Sequence, residues 1–289
     1  MSEQTRAIDN LLVGLIDYAG LYPPAALDMR SAVRNYLSYV RSKHSSMLGR
    51  FVVDVNRLPE LWEIAGDSIH DLTLSVVASP TMKWADLPHF LDDDLPIESI
   101  EIKTHQPSEI EQIDKLIPAG IITYFEVPLS STEPETLDAI ASTGARAKLR
   151  TGGVVAEAFP PSAAIAKMLK TFTDRRLPFK ATAGLHHPIR SSHPFTYAPN
   201  GPAGTMHGFL NLFLAATLLY FGGNVDEAEQ LLDEENPATF SISSDAIAWR
   251  SFHWSADQLR TVREEFAISF GSCSFEEPIR DLEALGWLL

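Results

Sequence analysis

The chain has 289 residues, 45% of them hydrophobic and 21% charged. That is apolar material for a sizeable core, in a length that suits one (β/α)8 barrel of about 250 residues plus insertions. The formal net charge is −15, from 38 acidic against 23 basic residues. This excess repels nucleic acid and anionic membranes, and a small anionic metabolite becomes a partner only if cations gather in one pocket.

The single cysteine, Cys273, excludes an intrachain disulfide and a cysteine-rich zinc centre. Residues 1–6 carry no apolar stretch behind a basic end. The longest apolar run, 209–221, is interrupted by Asn211 and Thr217 and is short for a bilayer. These features point to a cytoplasmic protein.

Taken in chain order, short strand-like runs alternate with helical stretches. Residues 13–19 form the first expected strand, leading into the loop Tyr22-Pro23-Pro24. A helix follows, with Val33, Tyr36, Leu37 and Val40 spaced along one buried face. Strands two to seven are expected at 51–55, 72–78, 99–104, 121–127, 145–150 and 179–185, and the eighth at 268–274. Helices fit at 59–65, 108–116, 134–142 and 162–173. Repeated strand–helix–strand units imply parallel pairing with right-handed crossovers. The fold class is therefore α/β, a (β/α)8 TIM-type barrel, with a doubly wound open sheet as the competitor.

Residues 190–256, after strand seven, are too long for one crossover helix and read as an insertion within a single barrel domain of residues 1–289. In it, 190–205 is a loop rich in Pro, Gly and Ser, 207–221 an apolar helix, and 225–234 a second helix. Residues 240–254 fit either a hairpin or a short helix, and 257–266 is helical again. A helix apolar on more than one side, as 209–221 is, must be covered all round. Burial under the insertion or in a homo-oligomer would both satisfy it. No Walker loop, Gly-x-Gly-x-x-Gly, His-Glu-x-x-His or Gly-x-Ser-x-Gly motif occurs.

The chemistry is carried by charges inside strands. In strand six, Arg146, Lys148 and Arg150 share one face, and Ala145, Ala147 and Leu149 share the other. In strand seven, Lys180, Thr182, Gly184 and His186 alternate with Phe179, Ala181, Ala183 and Leu185. Strand five contributes Tyr124 and Glu126, strand four Glu101 and Lys103, strand two Asp54, and strand one Asp17. Inward residues near the strand C-termini form the floor of a barrel active site, where unpaired charge is costly.

The expected catalytic set is Lys148, Lys180, Glu126, His186 and Asp17. On adjacent strands, Lys148 and Lys180 would each depress the other's proton affinity and favour Schiff-base or base chemistry. Arg150 would grip a carboxylate or phosphate. Gly152, Gly153, Thr182, Gly184, His207, Gly271 and Ser272 complete the expected substrate-binding set, the glycines offering backbone N–H groups to an anion.

The leading expectation is an enzyme acting on a small anionic carbonyl or carboxylate metabolite by lysine or acid–base chemistry, as an aldolase-like lyase or an isomerase. No organic cofactor is expected. A divalent metal is the alternative, as in a hydrolase or lyase using His186, His187, His193 or His207 with Asp17 or Glu126. Adjacent histidines diverge at a strand end, and their spacing matches no standard metal motif. A non-catalytic metabolite- or protein-binding barrel is the third reading, and it predicts strand-end charges paired with one another around no open pocket. Cys273 is a further nucleophile candidate, and Tyr22 and Tyr197 could wall the pocket.

Overall fold

Short runs with buried apolar residues, β-branched or aromatic in most strands and Ala and Leu in β6, are separated by stretches of helical period and place the strands β1 (Ile16–Tyr18), β2 (Leu48–Asp54), β3 (Leu74–Val77), β4 (Ile97–Ile102), β5 (Ile122–Val127), β6 (Arg146–Arg150) and β7 (Phe179–Thr182). Five more follow: β8 (Ser191–Pro194), β9 (Ala203–Met206), β10 (Phe240–Ile242), β11 (Ala246–Trp249) and β12 (Phe252–Ser255), before β13 (Ala267–Ser272). In this computed structural model, residues 6–78, 82–91, 94–103, 106–129 and 133–288 are described. The expectations made on residues 1–5 and on Thr104 lie outside them.

Eight strands form a closed parallel barrel in the order β1-β13-β7-β6-β5-β4-β3-β2. The expected (β/α)8 barrel is the fold. The helices are α1 (Ala7–Leu12), α2 (Met29–Val40), α3 (Leu58–Ala65), α4 (Pro107–Asp114), α5 (Pro134–Thr143), α6 (Ser162–Asp174), α7 (Phe209–Tyr220), α8 (Val225–Leu232), α9 (Ala256–Glu265) and α10 (Glu276–Ala284). Local chemistry sets their starts. Asp28 caps α2 by accepting from the Ser31 N–H at 2.8 Å. Proline occupies the first turn of α3, α4 and α5, where its missing N–H removes no helical bond.

Several boundaries differ from the pattern-based expectation. Residues 13–15 are not strand: α1 precedes them, and the chain turns at Gly14, in the left-handed region at φ +56°. β7 stops at Thr182 instead of 185, because Ala183 (φ +64°) and Gly184 (φ +75°) leave extended geometry. The Thr151 hydroxyl holds that turn by donating to the Ala183 carbonyl at 2.8 Å.

Between β7 and β13, residues 190–205 do not form a plain loop. β8 and β9 pair there as an antiparallel hairpin. Residues 240–254 take the hairpin alternative and extend it to a three-stranded antiparallel sheet, β10-β11-β12.

The apolar helix α7 buries eleven of its twelve residues within one chain, against α6, α8, α9 and β13. Its composition therefore requires no second subunit, and the sequence argument for a homo-oligomer loses its footing. Among the described residues, no helix is long and apolar enough to cross a membrane.

The end of the barrel where the strands begin is tied by Arg263 of α9. Its guanidinium donates to the carbonyls of Leu11 (2.8 Å), Val13 (2.7 Å), Ala267 (2.9 Å) and Ile268. No carboxylate among the described residues pairs with it directly. Burial lowers its pKa to about 10, against weaker support from Asp17. A planar five-donor cation suits carbonyls that converge from two segments.

Candidate active site

The parallel register brings the strand charges to adjoining positions. Lys148 of β6 lies opposite Glu126 of β5 on one side and Lys180 of β7 on the other. Glu101 of β4 is in register with Tyr124 of β5, one alternation below Glu126. The side chains link into a chain of alternating sign across the barrel.

Arg150 Nε donates to Glu126 Oε1 at 3.2 Å, and Lys148 Nζ lies 2.9 Å from Glu126 Oε2 and 2.8 Å from Glu101 Oε2. Lys180 Nζ then reaches Glu101 Oε1 at 2.6 Å and Asp17 Oδ2 at 2.5 Å. Hydroxyls and backbone occupy the remaining acceptor positions. Ser75 Oγ donates to Glu101 Oε1 at 2.7 Å and Ser269 Oγ to Asp17 Oδ2 at 2.8 Å. The Arg50 backbone N–H bonds Asp17 Oδ1 at 2.8 Å. Lys180 also sits 5.3 Å from the centroid of the Tyr124 ring, a cation–π distance.

This arrangement overturns the expectation that the two lysines depress each other. Burial does push both pKa values down, but Glu101 stands between them as a shared counter-charge. With Glu126 beside Lys148 and Asp17 beside Lys180, it drives both above the ordinary lysine value. Glu101 and Glu126 are correspondingly held below the ordinary carboxylate value. For each, burial opposes the shift and the adjacent ammonium groups outweigh it, with Arg150 adding to the effect on Glu126. At neutral pH both lysines are ammonium ions.

Above this chain opens a cavity of about 440 Å3 at the C-terminal ends of the strands. Of the expected catalytic residues, Glu126, Lys148, Lys180 and His186 line it. So do Arg150, Gly153, Thr182, Gly184 and Gly271 of the expected binding set. Lys148 retains 8% side-chain exposure and Lys180 only 1%, so Lys148 is the ammonium nearer the opening. The Arg150 side chain is 52% exposed and keeps donors available to a ligand.

Asp17 lies beneath, fully buried under Lys180. Gly152 packs against the Phe159 ring and Gly184. A Cβ on Gly184 would fall 2.6 Å from Phe159 Cε1 and 2.8 Å from the Gly152 Cα, so both glycines serve close backbone approach. Ser272 is buried and accepts from the Ser274 N–H at 3.3 Å.

His207 is not in the cavity. It lines a separate pocket of about 380 Å3 beside α6, with Nε2 bonded to the Pro160 carbonyl at 2.7 Å and a buried Nδ1 that has no partner among the described residues. The early end of β7 accounts for the difference in reach, because the chain leaves the barrel before the insertion begins.

His186 reaches the cavity by the left-handed turn at 183–184 and not by strand alternation. His186 Nδ1 lies 2.8 Å from Glu277 Oε2, and His187 Nδ1 2.5 Å from Asp281 Oδ2, both carboxylates belonging to α10. His187 stacks on His193 with centroids 3.3 Å apart. Each histidine is thus engaged elsewhere. Among the described residues, no three His, Cys, Asp or Glu side chains converge in a way that would hold a metal ion.

Two participants were underweighted by the sequence. Glu101, which bridges both lysines, was named only as one of several strand charges. The same alternation that exposed Lys148 puts Ser99 and Glu101 on one inward face, and Ser99 Oγ bonds Ser75 Oγ at 2.8 Å. Tyr22 lines the cavity with a buried hydroxyl that has no partner among the described residues. Burial, then the nearby Glu101 and Asp54 charges, raise its pKa, so the phenol stays protonated and able to donate.

Together these features define a (β/α)8 barrel with an open, charge-lined cavity at the C-terminal ends of its strands. No protein-family model matches the chain, and neither a curated protein nor a solved structure matches it.

Proposed function

We propose that the chain is a cytoplasmic enzyme that acts on a small anionic carbonyl or carboxylate metabolite by acid–base chemistry, as a lyase or isomerase. The observation that carries this reading is the chain Arg150–Glu126–Lys148, which reaches the cavity with an anion-gripping cation, a carboxylate base and an ammonium side by side. Arg150 holds the substrate carboxylate. Glu126 removes a proton from the carbon next to the carbonyl. Lys148, kept charged by Glu101, stabilises the negative charge that develops on the carbonyl oxygen. The free Tyr22 hydroxyl supplies a further donor to that oxygen.

Acid–base chemistry is favoured over a Schiff base because imine formation needs a neutral amine. Both lysines are locked as ammonium groups by carboxylates at 2.5 to 2.9 Å. The non-catalytic reading predicted charges paired around no pocket, and only its first half is matched: the charges are paired, and the cavity above them is open.

The test is solvent-deuterium incorporation into a panel of 2-oxo and 2-hydroxy acids, followed by proton NMR. The wild type exchanges at least one of them, and Lys148→Met abolishes the exchange while remaining folded by circular dichroism. Exchange that persists in Lys148→Met refutes the role of the ammonium. A borohydride-trapped adduct on Lys148 or Lys180 with the active compound would restore the Schiff-base route.

A further inference from the structure

A second cluster faces the same cavity and takes no part in the chemistry above. Cys273, just after β13, lines the cavity, as does His186 across from it on the loop after β7. Cys273 Sγ lies 4.0 Å from His186 Nε2, and His186 Nδ1 lies 2.8 Å from Glu277 Oε2. The Tyr197 hydroxyl donates to the same carboxylate oxygen at 2.9 Å and sits 3.6 Å from the sulfur.

This is a nucleophile, a base and a group that orients the base, in hydrogen-bonding sequence, at the edge of the cavity that Arg150 also lines. A sulfur–nitrogen distance at the long end is normal for such a pair before substrate enters. A buried structural cysteine would need neither the imidazole nor the opening.

The geometry points to Cys273 as a thiol nucleophile, paired with His186 and positioned through Glu277, that adds covalently to the carbonyl carbon of a small carboxylate-bearing aldehyde held by Arg150. The choice of a carboxylate-bearing compound rests on the anionic-substrate reading of the cavity. Burial alone would lower the His186 pKa, but the bonds to Cys273 and Glu277 outweigh it and raise the value to about 9. The imidazole is thereby kept supplied with a proton.

One mobile proton belongs to the Sγ–Nε2 pair. The sulfur electron pair forms the S–C bond, and the carbonyl π pair moves onto oxygen. That oxygen takes the proton from Nε2, giving a neutral hemithioacetal. Reversal releases the aldehyde, and no oxidant or reductant is consumed. Glu277 fixes the ring by accepting from Nδ1–H throughout.

Alkylation kinetics on the intact chain test this directly, because Cys273 is its single cysteine and intact mass reports it unambiguously. At pH 7, iodoacetate should alkylate the folded protein faster than neutral iodoacetamide, reversing the order expected where no cation attracts the reagent. Glyoxylate, the smallest carboxylate-bearing aldehyde, should protect. His186→Gln should slow alkylation by on the order of a hundredfold, and Glu277→Gln by less, if the imidazole manages the proton.

Alkylation equally fast in His186→Gln overturns the nucleophile assignment. Dependence on His186 without preference for iodoacetate, and without protection by glyoxylate, overturns the substrate class. The acid–base reading is judged separately by deuterium exchange in Cys273→Ser. Exchange retained there, together with failed alkylation kinetics, sinks the thiol alone, and exchange absent from the wild type sinks the other.

Discussion

Glu101→Gln is the sharpest probe of the buried charge chain. Glu101 lies 2.8 Å from Lys148 and 2.6 Å from Lys180, and its side chain is 3% exposed. At an effective dielectric near 20, each of these contacts is attractive by about 6 kcal/mol before desolvation is counted. Burying the ions offsets much of that, and cutting a buried pair from one side costs a net of about 3–5 kcal/mol. Lys148 keeps Glu126 and Lys180 keeps Asp17, so the lower end of that range is expected, with a fall in Tm of about 5 °C for a chain of this length.

Urea unfolding followed by circular dichroism measures the loss. The double variant Glu101→Gln/Lys148→Met leaves two balanced pairs, Arg150–Glu126 and Lys180–Asp17. It should cost clearly less than the two single changes added together. The pH dependence follows from the same carboxylate. Its folded pKa is depressed below the ordinary 4.5, so its stabilisation is complete above that value and is lost as pH falls toward the folded pKa. Glu101→Gln should flatten the acid limb of the stability curve. Coincident urea midpoints for wild type and Glu101→Gln would refute the claim that Glu101 holds the two lysines.

Two further outcomes are expected. His186 should remain protonated at pH 7 and titrate near 9 in nitrogen-15 NMR, contributing stability that is full below pH 6.5 and lost as pH rises through about 9. A midpoint at 6.5 would mean that the bonds to Cys273 and Glu277 do not form in solution. Arg263→Met should destabilise by at least about 3 kcal/mol in urea unfolding, because carbonyls of Leu11, Val13, Ala267 and Ile268 lose one shared donor. Wild-type stability in that variant would show those carbonyls to be satisfied otherwise.

Alternation within single strands was enough to place the charged floor of the cavity. Lys148 and Arg150 on β6, with Lys180 on β7, share inward faces because a strand has a strict period of two. The closed parallel barrel then fixes which neighbours they meet. The same rule failed past Thr182, where positive φ at Ala183 and Gly184 ends the alternation. His186 was therefore expected in the right place for an incomplete reason, and His207 was drawn into a cavity it does not reach. Mutual depression of the lysines also failed, because strand position shows which charges are neighbours but not which side chain lies between two others. Glu277 and Asp281 were out of reach, since they approach from a helix that no local pattern connects to the loop after β7.

That helix has a consequence for the order in which the molecule becomes competent during synthesis. α10 follows every barrel strand in the chain, yet it supplies the carboxylates that hold His186 and His187. Lys180 likewise finds Asp17 at a separation of 163 residues. A nascent chain that has emerged as far as β8 has both lysines and both histidines but lacks the carboxylates that latch the histidines. The side of the cavity that His186 lines is therefore fixed only once the α10 segment, made after all eight barrel strands, docks against the loop after β7.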